Sequence, residues 1–240
     1  MHAALIYFTR LPLPMLRAST DDDWRRAATY FPLVGWLVGG VAAGVWWGAS
    51  LVFPAGMAAG LSLGATLLLT GAMHEDGFAD LCDGFGGGTT REKTLEIMRD
   101  SRIGAFGALG LLLLLGLKWS ALSSLPGFMV AAALVAAHAC SRAGSITIMA
   151  SLDYARAEGK ARPLASRLQP ARIGVAVAVG IAPLLLLPGT AWAAAAPVLV
   201  VRFGAAWWFQ KRLNGYTGDC LGAVQQVGEL AFLLTLLAHL

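Results

Sequence analysis

The stretch LSLGATLLLTGAMHEDGFADLCDGFGGG, residues 61–88, decides how this chain is read. Its first half is an apolar run of the kind that crosses a bilayer. Its second half puts His74, Glu75, Asp76, Asp80 and Asp83 within ten positions. Acids at the foot of a membrane span are costly unless water or a ligand takes them up. They are either solvated loop residues or a binding site, and the rest of the chain discriminates.

Of the 240 residues, 57% are hydrophobic and 13% charged, with mean hydropathy +0.66. Soluble domains carry about 25% charged residues, so a membrane protein is the natural reading. Apolar runs of spanning length, about 17–25 residues, fall near 33–53, 55–73, 104–124, 127–150, 190–209 and 222–240. A shorter run at 173–188 contains Pro183. Pro54, LPG at 125–127 and PGT at 188–190 separate the runs as turn signals. The expected fold is all-α, a polytopic helical bundle of about seven spans in one domain covering 1–240. The start, MHAALIYFTRLPLPMLR, lacks a signal-peptide cleavage site and reads as an interfacial or re-entrant segment.

The charges sort by side. Fifteen of the 18 Lys and Arg lie in 1–32, 74–103, 151–172 and 210–221, while Lys118, Arg142 and Arg202 lie within spans. The turns between those segments carry no charge. The positive-inside rule therefore places the N-terminus and all four polar segments in the cytoplasm. Every acid except Glu229 lies in them too. The formal charge of +4 then reflects orientation, not a nucleic-acid partner. Cys82, Cys140 and Cys220 make no CxxC or Cys/His spacing, which argues against disulfides and zinc.

If 74–85 is helical, Asp76, Asp80 and Asp83 share one stripe about 60° wide and about 10 Å long. Three carboxylates so close must protonate, disperse or bind cations. Hard oxygen ligands suit Mg²⁺, which takes one or two carboxylates and keeps waters and substrate phosphates. Gly77 and Gly84 leave room beside the stripe for a ligand or a neighbouring helix. The glycines at 86–88, Gly86 and Gly87 among them, end the helix and offer N–H groups to phosphate. Glu75 lies off the stripe, orienting or exposed, and His74 lies on the opposite face.

Basic residues complete the pattern. Arg91, Lys93, Arg99 and Arg102 follow the acids, and arginine's planar fork suits phosphate. Plain positive-inside charge explains Arg91 and Lys93 better than it explains Arg102. Thr89 with Glu92 reads as a capping box, and Leu95, Met98 and Arg102 recur at helical spacing, so 89–104 is expected to form an interfacial amphipathic helix. His138 and Arg142 share one face of a span. Tyr154, Arg156, Glu158 and Lys160 occupy a loop. Thr217, Gly218 and Asp219 precede the last span, which contains Gln225, Gln226 and Glu229. Glu229 has no solvent and needs a cation, with Arg142 and Arg202 as candidates. A metal stripe with arginines and glycine-rich turns at a membrane surface argues for phosphoryl or pyrophosphate chemistry.

HEDGFADLCDGFGGG followed by REKTLEIMRDSRIGAFG resembles the signature of the cobalamin synthase family, the adenosylcobinamide-GDP ribazoletransferases. FTRLPLP at 8–14, YFPLVGWLVGG at 30–40 and GYTGDCLGAVQQVGELAFLL at 215–234 extend the resemblance, in order, over nearly the whole chain. Around 151–172 only YAR and a following glycine match. The resemblance implies a bacterial inner-membrane, multi-pass transferase with its active site in the cytoplasm. Adenosylcobinamide-GDP and α-ribazole, or its 5′-phosphate, would be its substrates, giving adenosylcobalamin or its phosphate and GMP with Mg²⁺. A homo-oligomer is compatible with it.

On that resemblance Asp76, Asp80 and Asp83 are the candidates for Mg²⁺ and the diphosphate, with Asp219 a second metal ligand. Arg99, Arg102 and Arg142 are candidates for phosphate, together with Gly86, Gly87, Thr217 and Gly218, and with Arg10 if the N-terminal segment folds over the site. His74 or one of the aspartates is the candidate base for the attacking hydroxyl. Two rivals are weighed. Another Mg-dependent membrane transferase, a CDP-alcohol phosphotransferase or a prenyltransferase, would show DGxxAR with GxxxDxxxD, or two separate Asp-rich motifs; neither pattern is present. A cation transporter would place acids mid-span, where Glu229 alone lies fairly deep.

Overall fold

The proline-bearing turns stand at helix junctions. Pro54 and Pro126 each precede a helix, and Pro188 precedes a 3-10 turn, positions where a fixed φ and a missing N–H do no harm. The computed structural model describes residues 1–14, 23, 26–156 and 168–239. Among them are ten α-helices: α1 (His2–Phe8), α2 (Phe31–Ser50), α3 (Ala55–Thr70), α4 (Met73–Gly87), α5 (Arg91–Ile97), α6 (Ala105–Ser124), α7 (Gly127–Ser151), α8 (Pro170–Ile181), α9 (Ala196–Leu213) and α10 (Gly218–Ala238).

Five helical segments are long and apolar enough to cross a membrane: Ala28–Ser50, Ala105–Ser124, Gly127–Ser151, Gly189–Leu213 and Gly218–Ala238. α3 and α4 meet that criterion only together, and their axes are bent by 90°. The protein is a multi-pass all-α membrane bundle of five spans, or six with the bent pair. Two breaks account for the difference from seven. The 55–73 run stops being helix at Thr70, and residues 182–186, around Pro183, wind as 3-10 helix after α8.

α7 is the central helix, buried along most of its length by α2, α8 and α10. Gly35 and Gly39 of α2 let the two backbones meet. A Cβ on either would stand 2.5 Å from the His138 carbonyl oxygen or 2.6 Å from Val135 Cα. Close van der Waals packing of small residues is what joins helices where lipid removes the hydrophobic drive. The outer faces of α6 and α9 expose Leu109, Leu112, Leu113, Leu199, Val200, Phe203 and Trp207, as lipid contact requires.

The bend between α3 and α4 has a local cause. Gly71 (φ +65°) and Ala72 (φ +54°) are both left-handed, and both their N–H groups point back to the Leu67 carbonyl, which closes α3. Ala72 then accepts from Asp76 N and starts α4 in a new direction. α5 begins one residue later than the capping box suggests, because Thr90 accepts from Lys93 N at 3.2 Å. It is also shorter. Leu95 and Met98 turn inward to the core and Arg102 lies past its end, so no long interfacial helix forms over 89–104. The cysteines are free.

Candidate active site

α4 and α10 carry the acids, and two glycines let them touch. A Cβ on Gly77 would stand 2.8 Å from Asp219 Cα, and one on Gly222 would stand 3.0 Å from the His74 carbonyl oxygen. This reciprocal approach sets the first two turns of α10 against the first two turns of α4. Thr217 caps α10 by accepting from Cys220 N, and so fixes where Asp219 emerges.

Beside that contact lies a cavity of about 620 Å³ lined by Asp76, Asp80, Asp219, His74, Arg99 and Arg156, with Gly218 at its edge. Its apolar wall is Tyr7, Phe8, Phe31, Met73, Met98, Met149 and Leu221. The like charges of Asp219 and Asp76 oppose Asp80, with Arg156 as the cation acting on it. Arg156 donates to Asp219 Oδ2 at 2.9 Å. Its position is set by backbone pairing: Tyr216 N donates to the Asp153 carbonyl, and Ala155 N to the Tyr216 carbonyl.

Asp83, the third member of the stripe, points elsewhere. Its two oxygens accept from Gly104 N at 2.7 Å and Gly107 N at 2.8 Å. It thus satisfies the free N–H groups at the start of α6, and the acids that share the cavity are Asp76, Asp80 and Asp219.

Several other expected site residues are also displaced. Gly86 and Gly87 lie at the C-terminal end of α4, where the free backbone groups are carbonyls, and the Gly88 carbonyl accepts from Arg212 at 2.7 Å. They offer no N–H cradle to phosphate. Arg102 is exposed and doubly bonded to Asp100, at 2.7 Å and 3.1 Å, and this holds the Asp100 carboxyl down at about 2. Arg91 bonds the Leu213 and Ala155 carbonyls and so acts as a brace. Arg10 is exposed and lies against Gly71 at the bend, outside the cavity lining. Thr217 is fully buried as a cap. Arg142 is buried behind the wall, 5.4 Å from the Phe31 ring centre. Glu158 and Lys160 lie outside the described residues.

Beneath the cavity runs a buried polar network. Glu75 is buried, not exposed, and accepts from Gln226. Gln226 accepts from Lys118, which pairs with Glu229 at 2.9 Å. His138 Nδ1 also bonds Glu229 at 2.9 Å. The cation for Glu229 is therefore Lys118, not Arg142 or Arg202. Arg142 donates to the His138 carbonyl, and Arg202 to Thr147 and Ser151. Helix rotation decides among three intramembrane cations that the sequence leaves equivalent.

His74 sits where network and cavity meet. It stacks with Phe31, at 5.5 Å between ring centres, and Phe31 stacks on Phe8 at 4.3 Å. Its Nε2 has no hydrogen-bond partner among the described residues. The aromatic wall is absent from the sequence reading. Its one signal is the expectation that the N-terminal segment folds over the site, which α1 does through Tyr7 and Phe8. Burial raises the phenol pKa of Tyr7, Tyr154 and Tyr216, so all three remain protonated donors.

Comparison with known proteins gives a consistent result. The family model described as cobalamin-5-phosphate synthase matches residues 1–237. A protein of Ralstonia pickettii (strain 12J) named adenosylcobinamide-GDP ribazoletransferase is 48% identical over 98% of this chain and 93% of its own length. Proteins of the same name from Leptothrix cholodnii and Shewanella frigidimarina are 46% and 42% identical over 98% of this chain, covering 93% and 92% of their own lengths. No solved structure matches.

Proposed function

The chain belongs to the cobalamin-5-phosphate synthase family, and from that premise we propose that the cavity between α4 and α10 is where it does its chemistry. The reaction joins adenosylcobinamide-GDP to α-ribazole, or to its 5′-phosphate, and closes the nucleotide loop of cobalamin. An oxygen of the ribose hydroxyl forms a bond to the phosphorus bearing the cobinamide arm. The bridging P–O bond breaks, GMP departs with its electron pair, and the hydroxyl proton passes to a base.

The observation that carries this placement is the meeting of Asp76, Asp80 and Asp219 with Arg99 and Arg156 around one cavity. The donor set is chemically suited to Mg²⁺. Its carboxylate oxygens are hard, and 620 Å³ leaves room for phosphates and water. Among the described residues no three His, Cys, Asp or Glu side chains already form a metal cage. Asp76 and Asp80 would hold the ion with Asp219 as a further donor, and it would supply charge neutralisation for the departing diphosphate.

The chain's own groups do the rest. Arg99 faces the cavity without an acid partner among the described residues and meets phosphate oxygens. Arg156 bridges Asp219 to the same space, so it can move between carboxylate and phosphate. His74 or one of the cavity aspartates is the base that takes the ribose proton. The apolar wall excludes water from the phosphorus and receives the flat parts of the substrates. The Lys and Arg distribution supports a site on the cytoplasmic side, and membership of the family supports the inner membrane of a bacterium.

The test is GMP release by the purified protein from adenosylcobinamide-GDP and α-ribazole. Asp80→Asn is expected to lower kcat by about 10²-fold or more. Turnover near wild type at saturating Mg²⁺ would remove Asp80 from the metal set.

A further inference from the structure

Arg202 lies on the most lipid-exposed span, yet it carries a full charge that no acid among the described residues neutralises. Its guanidinium reaches Thr147 Oγ1 at 3.0 Å, the Thr147 carbonyl at 3.1 Å and Ser151 Oγ at 2.8 Å, all neutral acceptors at the end of α7. A second cavity of about 410 Å³ opens there, between the α7 end and α9. Arg202, Ala206 and Gln210 line it from one row of α9, four residues apart, and Trp207 and Lys211 from the adjacent row. The small side chain of Ala206 leaves the groove open between the two cations. Lys211 is held over the Trp207 ring at 5.2 Å and also has no acid partner among the described residues.

We propose that this groove binds the phosphodiester headgroup of an anionic phospholipid. Arginine within a span is expensive without a counter-charge, and its neutral contacts here fix its direction without supplying one. Tryptophan and lysine near a span end mark the headgroup level, and the exposed Phe203 and Leu199 below them offer a surface for acyl chains. The rise of an α-helix puts Arg202 and Lys211 about 13 Å apart along α9, a distance that snorkelling of the arginine toward Ser151 shortens. Phosphate then sits between them at the same end of the bundle as the acid-lined cavity. The arrangement needs no metal and no bond-making step.

Native mass spectrometry of the full chain in detergent, titrated with phosphatidylglycerol or phosphatidylcholine, tests the site. The wild type should retain phosphatidylglycerol preferentially, and Arg202→Gln and Lys211→Gln should each weaken that retention about fivefold to tenfold. Among the described residues Lys211 contacts only the exposed Trp207 ring, so Lys211→Gln reads the site even if Arg202→Gln loses stability. Equal retention of the two lipids by the wild type would overturn the proposal, as would unchanged retention in Lys211→Gln. Displacement of the lipid by millimolar inorganic phosphate would also overturn it, in favour of a free-anion site.

Discussion

A methyl group placed on Gly77 would stand 2.8 Å from the Cα of Asp219, a residue 142 positions later in the chain. The contact is backbone to backbone, so no side-chain rotation relieves it. It is what puts Asp219 beside the two aspartates of α4. Gly77→Ala must push α4 and α10 apart. The expected outcome is a loss of turnover of tenfold or more, with a destabilisation of about 1–3 kcal/mol from overpacking. Rates of GMP release set against thermal unfolding would separate the two effects.

Asp83 should behave unlike its stripe neighbours. Asp83→Ala strips two acceptors from the N-terminus of α6 and should cost about 1–3 kcal/mol of stability. The Mg²⁺ concentration giving half-maximal turnover should stay where it is. Asp80→Asn should shift activity with little loss of stability. A Mg²⁺ titration of both variants distinguishes a cap from a ligand.

Lys118 and Glu229 form a buried pair, each side chain 2–3% exposed. Removing one partner strands the other, and Lys118→Met or Glu229→Gln should each destabilise by about 3–5 kcal/mol. The double variant should recover part of that loss, because neither member of the pair is left without the other. Unfolding midpoints of the three variants in one detergent give the coupling directly.

Stability should fall at high pH. Burial raises the phenols of Tyr7, Tyr154 and Tyr216 above the ordinary value of 10. As the pH rises past that value, the unfolded chain sheds these protons while the folded chain keeps them, so the unfolded state gains. The stabilising difference is intact below pH 10 and shrinks above it. Tyr154→Phe should flatten part of this decline in a melting series between neutral pH and strong alkali.

Most of the helices were legible because lipid imposes a length and a polarity on every span, and each apolar run found its helix. The bend was not. Ala72 at positive φ has no mark in the sequence, and it turns an apparently continuous run into two helices. Asp76 and Asp80 were readable as one face of a helix. Asp83 has the same periodicity, yet it is drawn away by the free N–H groups at the start of α6, whose capping residue Gly104 lies 21 positions later. The partner of Glu229 could not be read for a related reason. Lys118, Arg142 and Arg202 are alike as charges within spans, and the rotation of α6 and α7 about their axes assigns the pair. Tyr7 and Phe8 lie on a helix too short to leave a strong periodic signal.

The two left-handed residues at 71–72 have a further consequence, for where the chain tolerates change in length. An extra residue between Leu67 and Asp76 would rotate the aspartates by about 100° and shift them by about 1.5 Å, carrying them off the face that meets α10. The turn at 125–126 bears no such phase relation to the cavity. Insertions there lengthen a loop on the far side of the bilayer and leave the carboxylates in place. The protein should therefore be permissive to indels at its uncharged turns and intolerant of them between Leu67 and Asp76, a contrast that a scanning insertion library would expose as a single sharp gap.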